Sequence, residues 1–575
     1  MKRTVLTFLI LLTLLATPAV AFKLTVLHVN DTHSYLAGTN DAISVNGEEN
    51  RATLGGWPQL AAQVRKVRRS VPNVALLHAG DVVQGGLYFM KFGGRPEMEL
   101  LDRLGFDAMT LGNHEFDKGA ELLSGMLEYT DVPVLGANVE TPGVPCLAER
   151  IKPYVILGYG GERVGVIGLT TPDTAFISSP GPGVSFDDAA ATARKYVAEL
   201  TKQGVNKIIL LTHVGYAEDQ QLAAEVHGVD VIVGGHSHTL LGEHGQSYFG
   251  VVGLHASGPY PTVVKGADGN PVYVVTAWEW SRVLGRLDLT FDREGRVTSA
   301  VPRPLLLVDA GTLVRKKDGK WKALEQKENK AAIRWMDEHP PVASVGPDKA
   351  IAAYLAPFTA GLEALRREVI GKASAALTHT RVPGVSDSGI SLPHGSLLAP
   401  LVARSMLARL ARTGRPADMA LINGGGVRES IPQGDISVGT IYSVLPFNNS
   451  LVVLSLKGKT ICDALEYGVT RGGGAFPYVA NARYTADMNR PEGNRITQLD
   501  IRQNGAWGAL NPDRNYRVVT NAYLAGGGDG YTMFKGEAGH EDTGFVDAQA
   551  FMDYVKASSP LAPPKEMDVT YIPAR

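Results

Sequence analysis

Five apolar runs in the first half of this chain each end abruptly in an aspartate, an asparagine or a histidine. That rhythm constrains the fold more than any other feature. Leu24 to Val29 runs into Asn30-Asp31-Thr32-His33, and Val74 to Leu77 runs into Gly80-Asp81. Asp107 to Leu111 leads to Gly112-Asn113-His114-Glu115, and Lys207 to Thr212 stops at His213. Val229 to Val233 ends in Gly234-Gly235-His236-Ser237-His238. Short β-type runs separated by helical stretches, such as Gln59 to Arg69 and Asp187 to Thr201, read as an α/β domain. In such sheets the carboxyl edge is where sites are assembled. Strands hold side chains rigidly there, and the neighbouring glycines permit sharp turns.

The residue types point to metal chemistry. Four histidines, two aspartates and an asparagine offer nitrogen and oxygen without thiolate. That set suits zinc, manganese, iron or cobalt better than calcium or magnesium. Seven ligands exceed what one tetrahedral ion takes but suit two ions ~3.5–4 Å apart, bridged by one carboxylate. Each piece alone is ordinary: a D-x-H after a strand is more often a capped turn, and a lone histidine more often a packed one. Five such pieces in order, each at a strand end, are not. Two divalent cations against two carboxylates leave a positive surplus that attracts phosphate and generates hydroxide from water. Ten of the 14 histidines precede Asp292, so this chemistry belongs to the first half of the chain. His28 and His78, within or at the end of strands, read as structural, and His227, His244 and His255 receive no role.

At 575 residues, two or more domains are expected. A formal charge of −2 excludes a nucleic-acid coat protein, so any field that attracts phosphate must be local. The two cysteines, Cys146 and Cys462, can neither form a cysteine zinc site nor imply a disulfide. Lys2 and Arg3, the apolar run Val5 to Ala16 and Ala19-Val20-Ala21 have the form of a cleavable signal peptide over residues 1–21. That run is too short to span a bilayer, which takes ~20 residues. The expected locale is therefore periplasmic or secreted, with no membrane span after cleavage.

A catalytic domain is expected over 22–295 and a linker over 296–370. Within the linker, Ile351, Tyr354, Leu355, Phe358, Leu362, Leu365 and Val369 recur at helical spacing between Pro347 and Ile370. A second α/β domain follows over 371–560, then a tail over 561–575. This domain carries Asn423-Gly424-Gly425-Gly426-Val427-Arg428, in which glycines let backbone amides approach an anion and Arg428 offers a two-pronged donor. It also carries Phe447-Asn448-Asn449 and a loop from Asn521 to Tyr531 containing Tyr523 and Asp529. Two aromatics from separate loops can clamp a planar base, and an aspartate can accept hydrogen bonds from ribose, although by residue type alone Phe447 and Tyr523 read better as ordinary core packing.

The series D-x-H, G-D, G-N-H-E-F-D, T-H-x-G and G-G-H-S-H resembles the calcineurin-like metallophosphoesterases, and within them the 5′-nucleotidase family. The resemblance implies a metallophosphoesterase β-sandwich flanked by helices, a connecting helix and a C-terminal α/β nucleotide-binding domain. It implies one metal on Asp31, His33, Asp81 and His238, and a second on Asp81, Asn113, His213 and His236. His114, oriented by Asp117, would stabilise the transition state. Phe447 and Tyr523 would stack on the base, with Arg428 on phosphate beside Gly425 and Gly426, Asn449 on the base and Asp529 on ribose. Such enzymes swing the second domain against the first. One departure is visible: relatives carry further arginines before the glycine matched by Gly395, whereas here only Arg381 is basic nearby, in a register that does not transfer.

The expected function is therefore phosphohydrolysis of a 5′-nucleotide, with UDP-sugar or dinucleotide pyrophosphate cleavage open to the same centre, by in-line attack of a metal-bound hydroxide, with zinc, manganese, cobalt or iron as the pair of divalent ions. No nucleic-acid polymer is expected as a partner. The same architecture also serves 2′,3′-cyclic-nucleotide phosphodiesterases with 3′-nucleotidase activity, and thiosulfohydrolases. The contrasting class is a non-catalytic nucleotide-binding or surface-adhesion protein. The complete ligand series and the His114–Asp117 pair argue for an enzyme.

Overall fold

Runs such as Val231–Gly234 and Ile208–His213 are apolar at every position, as strands are when both faces of the sheet are covered. A computed structural model describes residues 21–574 except 85, 243–255, 318–319, 340, 386–389, 448, 504 and 536–538. Most of the expected signal peptide, together with His244 and His255, lies outside the described residues.

Two sheets face each other in the N-terminal half. In the first, Phe22–Val29 lies between Val283–Phe291, antiparallel, and Val74–His78, parallel, with Ala108–Thr110 beyond. In the second, Ile208–His213 runs parallel to Glu162–Thr170 and to Val231–Gly234, with Pro271–Val275 next. Leu24, Val26 and Leu77 from the first sheet meet Val166, Leu211 and Val233 from the second in one buried cluster. Neighbouring residues on the same strands point the other way. Leu27 and Val29 pack with Leu60 and Val64 of the helix Trp57–Ser70, and Leu210 and Ile232 pack with Val197 and Leu200 of the helix Ala189–Lys202. The sandwich is thus flanked by helices, as expected. Its parallel strands release all their carboxyl ends at one edge.

Residues 296–370 are not a bare linker. Leu305–Lys317 joins the first sheet, pairing with Val283–Phe291 and Glu48–Leu54, and Val342–Ser344 pairs with it in turn. The helix Gln326–Glu338 buries Ala332 and Met336 in the same cluster as Leu306 and Val308. The connecting helix is Lys349–Arg366, capped by the Asp348 carboxylate on the backbone N–H groups of Ala350 and Ile351.

The C-terminal half contains a five-stranded sheet in the order Pro477–Ala480, Met419–Asn423, Asn515–Asn521, Ser450–Lys457, Glu541–Val546. In a second, four-stranded sheet Val569–Ile572 pairs with Ala482–Asp487, so part of the expected tail over 561–575 is also strand. Among the described residues no helix is long and apolar enough to cross a membrane. Cys146 and Cys462 are both free.

Candidate functional site

At the carboxyl edge of the sandwich the backbone takes an unusual form. Asp31, His33, Asp81, His236 and His238 all have positive φ, between 47° and 78°. Side chains other than glycine rarely accept this conformation, and such strain collects at functional sites. The turns direct the side chains inward: Asp31, His33, Asp81, Asn113 and His213 are buried, and His236 and His238 are half-buried.

The donor atoms converge. His33 Nε2 lies 2.9 Å from His238 Nε2, and His238 Nε2 lies 3.4 Å from Asp31 Oδ1. His213 Nε2 lies 3.0 Å from Asp81 Oδ2. Asn113 Oδ1 lies 3.2 Å from His213 Nε2 and 3.0 Å from His236 Nδ1. Asp81 Oδ2 also lies 3.8 Å from His33 Nε2, so this carboxylate stands between two groups, Asp31–His33–His238 and Asp81–His213–His236. Donors bonded to zinc at ~2.0–2.2 Å are spaced in this way.

Electrostatics fit cations as well. Burial opposes charge on His213, but Asp81 and Asp31 outweigh it and raise its pKa to about 9; His238 is raised in the same sense by Asp31 and Glu279. The field that draws protons onto these rings would hold divalent cations in their place. His33, lowered to about 3 by burial, is ready to offer a lone pair. Two aspartates, four histidines and an amide oxygen, turned toward common points, therefore fit the divalent ions that the chemistry requires.

The remaining polar groups orient these donors. His114 Nδ1 meets Asp117 Oδ2 at 2.6 Å, and Ser178 donates to the other oxygen of Asp117. Burial opposes charge on His114, but Asp117 and Asp81 outweigh it and raise the imidazole to about 9. Three further groups were not singled out from sequence. Glu115 accepts backbone N–H groups from Asp81, Val82 and Gly112 at 2.7–3.0 Å. Asn30 donates to Asp31 at 2.6 Å and also to the Trp278 carbonyl. Glu279 accepts from His238 Nδ1 at 2.7 Å, the partner a ligating imidazole ordinarily has. Glu279 follows the strand Pro271–Val275 within four residues, so the strand-then-polar rule had a sixth instance that could have revealed it. His28 and His78 are fully buried and lowered to about 3 by burial, in keeping with packed structural residues.

The second constellation stands apart from the first. Phe447 and Tyr523 each expose about half of their surface (46%). The Arg428 guanidinium lies 5.7 Å from the centre of the Phe447 ring and contacts the Gly425 carbonyl. The Tyr523 hydroxyl donates to Asp529 Oδ1, and Asn423 donates to Asp529 Oδ2. Gly426 is tight because a Cβ would meet Asn423 Oδ1 at 2.8 Å. Asn449 is turned toward Asp547 rather than the open surface, at 3.4 Å. Arg381, whose sequence register does not transfer, nonetheless lays its backbone against Gly424. Burial, followed by the charges of Arg381 and Arg51, holds Arg428 below its ordinary value. The cavity at the metal-type cluster is lined by His33, Asp81, His114 and Trp280, and across from them by Ser450, Asp542, Gly544 and Val546. None of Arg428, Phe447, Asn449, Tyr523 or Asp529 lines it.

Comparison with known proteins agrees with both halves. Residues 24–240 match the Calcineurin-like phosphoesterase family, and residues 369–536 match the 5′-nucleotidase, C-terminal domain. The chain is 38% identical to a probable 5′-nucleotidase of Treponema pallidum over 554 residues, covering 93% of this chain and 92% of that one. It is 34% identical to the NAD 5′-nucleotidase of Haemophilus influenzae, covering 93% and 90%. The solved structure of the Haemophilus influenzae NAD nucleotidase superposes with a TM-score of 0.79 at 33% identity, covering 96% of this chain and 99% of that one. The chain therefore belongs to the 5′-nucleotidase family of calcineurin-like metallophosphoesterases, and is a metal-dependent phosphoester hydrolase.

Proposed function

We propose that this hydrolase is an exported 5′-nucleotidase that also cleaves the pyrophosphate of nucleotide-sugars or dinucleotides. Asp31, His33, Asp81 and His238 would hold one divalent cation, and Asp81, Asn113, His213 and His236 a second, from among zinc, manganese, cobalt and iron. When bound, the pair supplies Lewis acidity to the phosphoryl oxygens and a water of lowered pKa. The chain's own residues supply the rest. His114 lines the cavity and is fixed by Asp117, so its other ring nitrogen, when protonated, can stabilise a phosphoryl oxygen or deliver a proton to the leaving oxygen. Arg428 would engage phosphate, Phe447 and Tyr523 the base, and Asp529 the ribose.

The observation that carries this reading is the pairing of His114, held by Asp117 at the cavity wall, with the converged donor set. The exposed aromatics beside Arg428 and Asp529, and the names of the relatives, favour a nucleotide over a sulfur compound. The test is phosphate release by manganese-, zinc- or cobalt-loaded protein from AMP, UMP, NAD, UDP-glucose and 2′,3′-cyclic AMP. Phe447→Ala and Tyr523→Ala are each expected to raise KM for AMP about tenfold, since a stacked base is worth ~1–3 kcal/mol, with kcat little changed. If no 5′-nucleotide releases phosphate, the nucleotidase reading fails. Export is supported by the form of residues 1–21. A mature chain whose mass corresponds to a start near Phe22 is expected outside the cytoplasm, and retention of the full leader on internal protein would refute it.

A further inference from the structure

The family resemblance implies that the C-terminal domain moves, but not what holds it at rest. At the edge of the five-stranded sheet, Glu541–Val546 pairs with Ser450–Lys457 through Ser450–Val546 and Val452–Asp542. One residue lies between these pairs on one strand and three on the other, so the edge strand bulges outward between them. Bulges of this kind re-aim a short segment and are enriched next to active sites. This one is built: the Thr543 hydroxyl donates to the Leu451 carbonyl at 2.6 Å, and Asp542 Oδ1 accepts the Gly544 N–H at 3.1 Å. It projects into the metal-type cluster. A Cβ placed on Gly544 would lie 2.7 Å from Asn113 Nδ2 and 2.8 Å from His114 Nε2.

Those neighbours cannot step aside cheaply. Asn113 is buried with its oxygen against two histidines, and His114 is buried and tied to Asp117. Gly544 also has φ +66°, so glycine is called for twice over. The cavity left between the bulge and the cluster is about 10 Å³. One water needs roughly that much, and a phosphoryl group needs several times more. The Asp542 carboxylate lines the same cavity.

We propose that the Asp542–Val546 bulge is an intramolecular plug that occupies the phosphate's place at the metal centre, with Gly544 as its seat and Asp542 as an anionic stand-in for the substrate. Phosphate and plug compete for one position, so the nucleotide-bearing face can be presented only after the plug withdraws. A ligand shifts such an equilibrium by its preference for one arrangement, and its apparent affinity falls by the fraction of molecules that are competent. This inference rests on the phosphohydrolase reading but not on the choice of nucleotide.

The test uses the full-length, manganese-loaded chain, with inorganic phosphate as the probe by calorimetry and with small-angle scattering. If the plugged arrangement is favoured about tenfold, Gly544→Ala tightens phosphate binding by about the same factor, and its scattering curve departs from that of the wild type. Asp542→Asn keeps the bulk but removes the charge, and is expected to tighten phosphate binding several-fold, so it carries the test if Gly544→Ala fails to fold. Unchanged phosphate affinity in folded Gly544→Ala and Asp542→Asn, with scattering like that of the wild type, would overturn the plug. AMP hydrolysis by the same preparations reports separately on the nucleotidase reading.

Discussion

Asp81→Ala is expected to lower kcat/KM for AMP by about 10³-fold or more, beyond the 10²–10³ that loss of one oxyanion donor costs. Asp81 is the carboxylate shared by both halves of the donor set. One oxygen lies 3.0 Å from His213 Nε2 and 3.8 Å from His33 Nε2, and the other accepts the His114 N–H at 2.9 Å. Its loss removes a donor from each proposed cation shell and unties the backbone that places His114. It also removes a charge that keeps the imidazoles of His114 and His213 above their ordinary range. Metal content measured after desalting should fall together with activity, while far-ultraviolet circular dichroism stays as in the wild type. A folded Asp81→Ala protein retaining activity within tenfold of wild type would remove the shared-carboxylate assignment.

How much of this was legible before the structure depends on range along the chain. The strands ending in Asp31, Asp81, Asn113, His213 and His236 were legible because each is a local apolar run whose polar terminus follows directly. Both faces of these strands are covered, so the runs are continuous and unmistakable. The connecting helix within 296–370 is legible from its periodicity, but the strands of that segment are recognisable only through distant partners: Val308 pairs with Leu54, and Leu306 with Val342. The same holds for Val569–Ile572, whose pairing with Ala482–Asp487 cannot be seen in four residues. Among the site residues, the donors are readable by type and spacing and Glu279 by the same strand-then-polar rule, whereas Asn30 is recognisable only from its contacts with Asp31 and Trp278. Arg381 lies out of register when counted from Gly395, and the fold sets its backbone against Gly424. The bulge at Gly544 was invisible in principle, because its meaning arises from how the second half of the chain sits on the first.

Glu115→Ala is expected to lose both stability and metal affinity, through a mechanism distinct from that of Asp81. Glu115 is almost fully buried, and its carboxylate receives the backbone N–H groups of Asp81, Val82 and Gly112. It therefore ties together the turns that end two adjacent strands, one carrying Asp81 and the other leading into Asn113. Burial pushes Glu115 up to about 7 and the neighbouring Asp81 charge adds to this, while the backbone N–H groups draw it down. Removing the carboxylate leaves these buried donors without an acceptor at about 1–3 kcal/mol each, a sizeable share of the ~5–15 kcal/mol that keeps a domain folded. The melting temperature should fall by many degrees, at about 2–4 °C per kcal/mol for a domain of this size. Because the turns carry the donors, metal affinity should fall about 10- to 100-fold, the scale for groups that orient ligands without touching the metal. Glu115→Gln keeps one acceptor oxygen but turns an amide N–H₂ toward the same donors, so it should fall between wild type and Glu115→Ala in both respects. Calorimetric melting and manganese titration of the three proteins would read this order. Metal affinity unchanged in both variants would show that Glu115 serves the fold alone and does not position the donors.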